Sequence, residues 1–96
     1  MSDYTIRSGD RAVFLAGLRE LTDFLTANPT VLVPRRPSFA VLVDADDSDT
    51  RRAGVESAAS ALSVPVADLG MGYFDARREF GPISYLVIGV PPEDRQ

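Results

Sequence analysis

The residues best suited to chemistry in this chain sit in one short run, Asp44-Ala45-Asp46-Asp47-Ser48-Asp49, with four carboxylates in six positions. Carboxylates held this close repel one another, and a bound divalent cation relieves the repulsion. Asp44, Asp46 and Asp49 are therefore the candidate ligands of a weak Mg²⁺ or Ca²⁺ site. Arginine is the second resource: six of the ten fall in pairs, Arg35-Arg36, Arg51-Arg52 and Arg77-Arg78. Guanidinium groups bind phosphate and carboxylate oxygens, although on an acidic surface such pairs are more often solvated or ion-paired. Little else is on offer. The sequence has no histidine, cysteine, lysine or tryptophan. That removes the usual general base, the zinc ligand, the thiolate nucleophile and the Schiff-base amine.

The acidic run also has a simpler use. Asp46, Asp47, Ser48 and Asp49 stand just before a predicted helix. There a side-chain oxygen caps exposed backbone amides, and negative charge suits the helix dipole. Counted from Asp44 as a calcium-binding EF-hand loop, the sixth position is Asp49 instead of glycine and the twelfth Val55 instead of glutamate. The segment Val41-Leu42-Val43-Asp44-Ala45-Asp46 resembles the opening of the haloacid-dehalogenase-type phosphotransferases. That resemblance implies a nucleophile at Asp44, an acid/base at Asp46 and magnesium between them. The sequence departs from it in Asp47 for glycine, Ser48 for threonine, the missing lysine, and a length too short for that fold. Capping is the favoured reading.

The elements that must position these residues follow from periodicity. Phe14, Leu18, Leu21 and Leu25 recur at helical steps, with Val13, Gly17 and Phe24 widening the stripe. Ser8 or Asp10 can cap this helix, and Asn28-Pro29 ends it, so it spans about 10–27. Thr30–Pro37 holds Val31-Leu32-Val33 among prolines and is either an edge segment or an extended linker. Ser38–Asp44 reads as a strand apolar on both faces. A second helix over about 49–62 carries a small-residue stripe of Val55, Ala58, Ala59 and Leu62. A second strand is expected within Leu69–Phe80, loosened near its start by Gly70 and Gly72. After the turn signal at Gly81-Pro82, Ile83–Val90 alternates as a third strand.

The expected fold is α+β, ordered helix-strand-helix-strand-strand. A small three-stranded sheet with a C-terminal antiparallel hairpin packs on the two helices. Residues 1–96 make one domain, with 1–8 and 93–96 frayed. If both helices share one sheet face, a partner must cover the other; if they lie on opposite faces, none is needed. On the hairpin, alternation sends Phe74, Ala76 and Phe80 inward and leaves Tyr73, Asp75, Arg77 and Glu79 outward. Tyr73, Arg77, Arg78 and Tyr85 are its candidate contact residues. The lone Gly70-Met71-Gly72 neither follows a strand nor opens a helix, so it is a poor phosphate cradle.

Leu18-Arg19-Glu20-Leu21, Phe24-Leu25, Ala27-Asn28-Pro29 and Arg78-Glu79-Phe80-Gly81-Pro82 together resemble small proteins common in actinobacteria and their phages or mobile elements. The resemblance implies provenance and an accessory or regulatory role, and it carries no activity or catalytic residue. Arginine without lysine likewise fits a GC-rich genome.

The formal charge of −4 opposes general binding to nucleic acid. No stretch is apolar for long enough to span a bilayer, and the start lacks the form of a signal peptide, so a cytoplasmic location is expected. The leading expectation is a non-enzymatic interaction module with a protein partner, possibly a second copy as a homodimer. An Asp-x-Asp phosphoryl-transfer or hydrolytic activity is the alternative. A nucleic-acid accessory protein using Arg51, Arg52, Arg77 and Arg78 is third.

Overall fold

The computed structural model describes residues 4–92. Its elements run β1 (Thr5–Arg7), α1 (Arg11–Ala27), β2 (Ser38–Asp44), α2 (Ser48–Leu62), β3 (Ala67–Gly70), β4 (Tyr73–Phe80) and β5 (Ile83–Gly89). The α+β class stands, but the sheet has five strands in the order β1-β2-β5-β4-β3. The three-stranded expectation is thereby corrected at two places. Thr5–Arg7, expected to be frayed, pairs antiparallel with the end of β2; residues 1–3 and 93–96 lie outside the described set. The stretch expected to hold one strand from Leu69 holds two.

That split is made by the backbone at Gly70-Met71-Gly72, where φ is +83°, +56° and +85°. Three successive left-handed residues reverse the chain, and two of them are glycines, which adopt that region without a Cβ penalty. Asp68 reinforces the reversal by accepting the Gly70 N–H at 2.9 Å. The expected hairpin is present: β4 and β5 pair antiparallel, with Phe80 opposite Ile83 across Gly81-Pro82. β2 pairs with β5 in parallel, from Ser38 beside Ser84 to Val43 beside Gly89. A parallel neighbour needs a crossover, and α2 with the β3–β4 hairpin supplies it.

Both helices begin at aspartates. Asp10 accepts the Val13 N–H at 3.0 Å and Asp47 accepts the Thr50 N–H at 2.8 Å. α2 ends where Ser63 turns left-handed and returns its N–H to the last turn. Its inner side is small: Gly54, Val55 and Ala59 are buried, so the helix lies close against β2, β4 and β5. With Val43, Phe74, Ala76 and Val87 they form the core, flanked by Tyr4, Ile6, Val41, Ala58, Leu62, Val64 and Val66. Gly54 is required there, because a Cβ would come within 2.6 Å of a Val43 methyl.

α1 is placed differently. It has no buried residue. Phe14 stands edge-on to Phe39, with ring centroids 5.7 Å apart. Since Phe39 shares its face of β2 with Val41 and Val43, α1 approaches the same side of the sheet as α2. The segment 28–37 is the linker of the two options, without strand structure. A projecting helix explains the radius of gyration of 15.5 Å, against about 12 Å for a compact chain of this length.

Candidate functional site

Three groups of residues were singled out by type and spacing, and the fold treats them differently. In the acidic run the carboxylates diverge. Asp44 ends β2 and is ion-paired with Arg7 across the β1–β2 ladder. Asp47 is the cap of α2, receiving both the backbone N–H and the hydroxyl of Thr50. Those two bonds hold its carboxyl below the ordinary aspartate value, the backbone one contributing most. Asp46 and Asp49 are exposed. Among the described residues no group of three or more potential ligating side chains converges on one point.

What holds this loop is an arginine. Arg51 is 3 % exposed. Its Nη1 donates to the Ala45 carbonyl at 2.9 Å and the Asp46 carbonyl at 3.3 Å. Its Nε donates to the Gly72 carbonyl at 2.9 Å. One side chain thus ties the β2–α2 loop to the β3–β4 turn. The glycines around it leave it room: a Cβ on Gly72 would sit 2.7 Å from Nη2, and one on Gly89 would sit 2.7 Å from Cγ. Spacing alone gives no sign of this, because both glycines are remote in sequence.

The four arginines of the nucleic-acid alternative have separate surroundings. Arg51 is enclosed. Arg52 lies over the Phe74 ring and near Glu56, at 5.7 Å and 3.6 Å. Arg78 donates to the Leu62 carbonyl at 3.0 Å and lies over the Phe80 ring at 5.5 Å. Arg77 lies on the opposite face, 3.6 Å from Asp75, with its side chain as exposed as that of Arg52. The four hairpin contact candidates divide as well. Tyr73 and Arg77 fall on one face by alternation, and Arg78 and Tyr85, which are register partners, on the other. Two details of the expected outward ladder also change: Asp75 is buried, while Phe80, expected inward, is 53 % exposed.

The feature left over is apolar. α1 and the linker after it expose Val13, Phe14, Leu15, Leu21, Phe24, Val31, Leu32 and Val33, with Phe24 at 52 % and Leu32 at 93 %. By helical geometry the apolar side chains of α1 cover an arc of roughly 200°, from Val13 and Phe24 through Leu21 and Phe14 to Leu15. A single sheet contact occupies about half of such an arc. Arg19, Glu20 and Asp23 fall on the remaining sector. Between the first turn of α1 and the sheet lies a cavity of about 170 Å³ lined by Phe14, Phe39, Val41 and Tyr85. On the face away from α2, Ala40 is exposed and Leu42 and Ile88 are half-buried.

No family model, curated protein or solved structure matches the chain. Among the described residues no helix is long and apolar enough to cross a membrane.

Proposed function

We propose that the chain is a non-enzymatic interaction module whose contact surface is α1 with the linker behind it, and that its partner is a second copy. The observation that carries this is an amphipathic helix of 17 residues with no buried residue. A helix of that length is marginal in water unless its apolar face is packed. Here the chain's own sheet covers little of it.

The exposed set is also the right size. Its eight side chains offer roughly 700 Å² of apolar surface, against about 800 Å² per partner in an ordinary stable interface. A two-fold dimer brings the same patch together from both copies. Arg19, Glu20 and Asp23 lie off the apolar arc and Arg11 enters it only at the first turn, so two helices can meet along the rest of the arc without opposing like charges.

Sedimentation velocity of the unmodified chain across the micromolar range tests the reading. The expected result is a dimer that becomes a monomer in the Val13→Asp/Phe24→Asp double variant. A wild-type monomer well above micromolar concentration that binds no hydrophobic dye would mean the arc is already covered, and the reading would fail.

A further inference from the structure

Three arginines that serve neither the core nor the β2–α2 loop converge elsewhere. Arg35, Arg36 and Arg77 line one cleft of about 530 Å³ with Ser38, Ser84 and Glu79, closed at one side by the Gly81-Pro82 turn. Two of these arginines come from the linker and one from β4, so their meeting is a product of the fold. We infer that this cleft is a binding site for a phosphomonoester group on a small molecule.

The floor is built by register. Ser38 pairs with Ser84, and Ser84 pairs with Glu79, which sets the three in one row across β2, β5 and β4. Arg77 lies two residues before Glu79 on the same face. Arg35 and Arg36 are held above that row by the Pro34 and Pro37 that bracket them, since proline fixes φ and narrows its neighbours. The bracket is fastened to the sheet where Ser84 donates its N–H to the Pro37 carbonyl at 3.0 Å.

Charge selects the ligand. Three guanidiniums meet two carboxylates: Asp75 lies 3.6 Å from Arg77, and Glu79 already accepts the Ser84 hydroxyl at 2.7 Å. Among the described residues neither Arg35 nor Arg36 has an ion-pair partner. A local excess of positive charge on a chain of net charge −4 is stabilised by a compact dianion. Planar guanidiniums match phosphate oxygens two at a time. The volume suits a sugar phosphate or mononucleotide, and one cleft of this size engages one phosphate. An extended nucleic acid needs a continuous basic track.

The test is a titration of the dimer or monomer, as it exists in solution, followed by amide chemical shifts at low ionic strength. Sodium phosphate and AMP are the two probes, with sodium chloride at matched ionic strength as the reference. Saturable shifts confined to residues 35–38, 77–84 and their neighbours are expected with both probes. Tighter binding of AMP would identify an organic phosphomonoester as the better ligand; equal binding would assign recognition to the phosphoryl group alone. Arg36→Gln with Arg77→Gln should weaken binding by about tenfold or more while the remaining spectrum superimposes on the wild type. Shifts no larger than those with chloride would overturn the site, as would affinity unchanged in the double variant. Tighter, steeply salt-dependent binding of a single-stranded oligonucleotide would replace it with a nucleic-acid surface.

Discussion

α1 and α2 are similar in length, 17 and 15 residues, and each starts on an aspartate cap. Their compositions suggest opposite roles to those they take. α1 carries two phenylalanines and four leucines, yet none of its residues is buried. α2 presents Gly54, Val55 and Ala59, and these are in the core. Distance explains the inversion. A helix with small residues on one side brings its backbone close to a sheet and fills the space with few atoms. A helix with large residues over a broad arc must stand further off and needs more than one surface to cover it. Apolar content therefore marks the helix that needs a partner, and small size marks the helix that builds the core.

The largest expected effect contrasts one position on each helix. Val55 is fully buried in the core, and Val55→Asp puts a carboxylate there without a partner. The expected cost is above about 4 kcal/mol, a large fraction of the stability of a domain of this size. Leu21, half exposed on α1, should tolerate the same change with roughly 0.5 kcal/mol or less of effect on the monomer and lose self-association. Urea titrations of both variants decide the matter. Equal destabilisation would mean that α1 belongs to the core after all.

A glycine pair sharpens the same contrast with opposite signs. At Gly54 a Cβ meets Val43 at 2.6 Å and the Tyr4 ring at 3.0 Å, whereas at Gly17 it meets nothing within 4 Å. Gly54→Ala should destabilise by about 1–3 kcal/mol through overpacking. Gly17→Ala should stabilise α1 by up to about 1 kcal/mol, because alanine loses less backbone entropy on entering a helix. Both are best measured in the Val13→Asp/Phe24→Asp background, where no second copy can sit over Gly17. A loss at Gly17 in that background would place part of this chain against it.

What was legible in the sequence is what local physics determines. The cap regions, narrowed by the sequence to Ser8 or Asp10 and to one of Asp46, Asp47, Ser48 and Asp49, the stop at Asn28-Pro29 and the hairpin across Gly81-Pro82 all act within a few residues of themselves. β1 was not legible, because Thr5-Ile6-Arg7 is too short to show alternation and is defined by its pairing with Val43 and its neighbours. β3 was hidden for a related reason: Ala67-Asp68-Leu69-Gly70 is only four residues long and is exposed throughout. The parallel pairing of β2 with β5 joins residues more than 40 positions apart, and no periodicity reports it. Arginine pairs misled in the same way. Neighbours in a strand point to opposite faces, so Arg77 and Arg78 part company, and Arg77 joins Arg35 and Arg36 instead.

The smallest expected effect is a pH dependence at the cap of α2. Asp47 has its carboxyl held below the ordinary value of 3.8 by the Thr50 N–H and then by the Thr50 hydroxyl. A group whose folded value is depressed stabilises the fold above its unfolded value and loses that contribution as the pH falls through the folded one. The contribution of the charge should therefore be constant from neutral pH down to about 5 and should fade below about 4. Asp47→Ser keeps a cap oxygen but removes the titrating charge. Its thermal midpoint should lie below that of the wild type at pH 7, and the gap should close as the pH approaches 2. The same substitution at Asp49, which is exposed in the first turn of α2, serves as the control for a general dipole effect. A gap that widens on acidification, or one reproduced in full by Asp49→Ser, would show that the bonds to Thr50 are not what stabilises the charged cap.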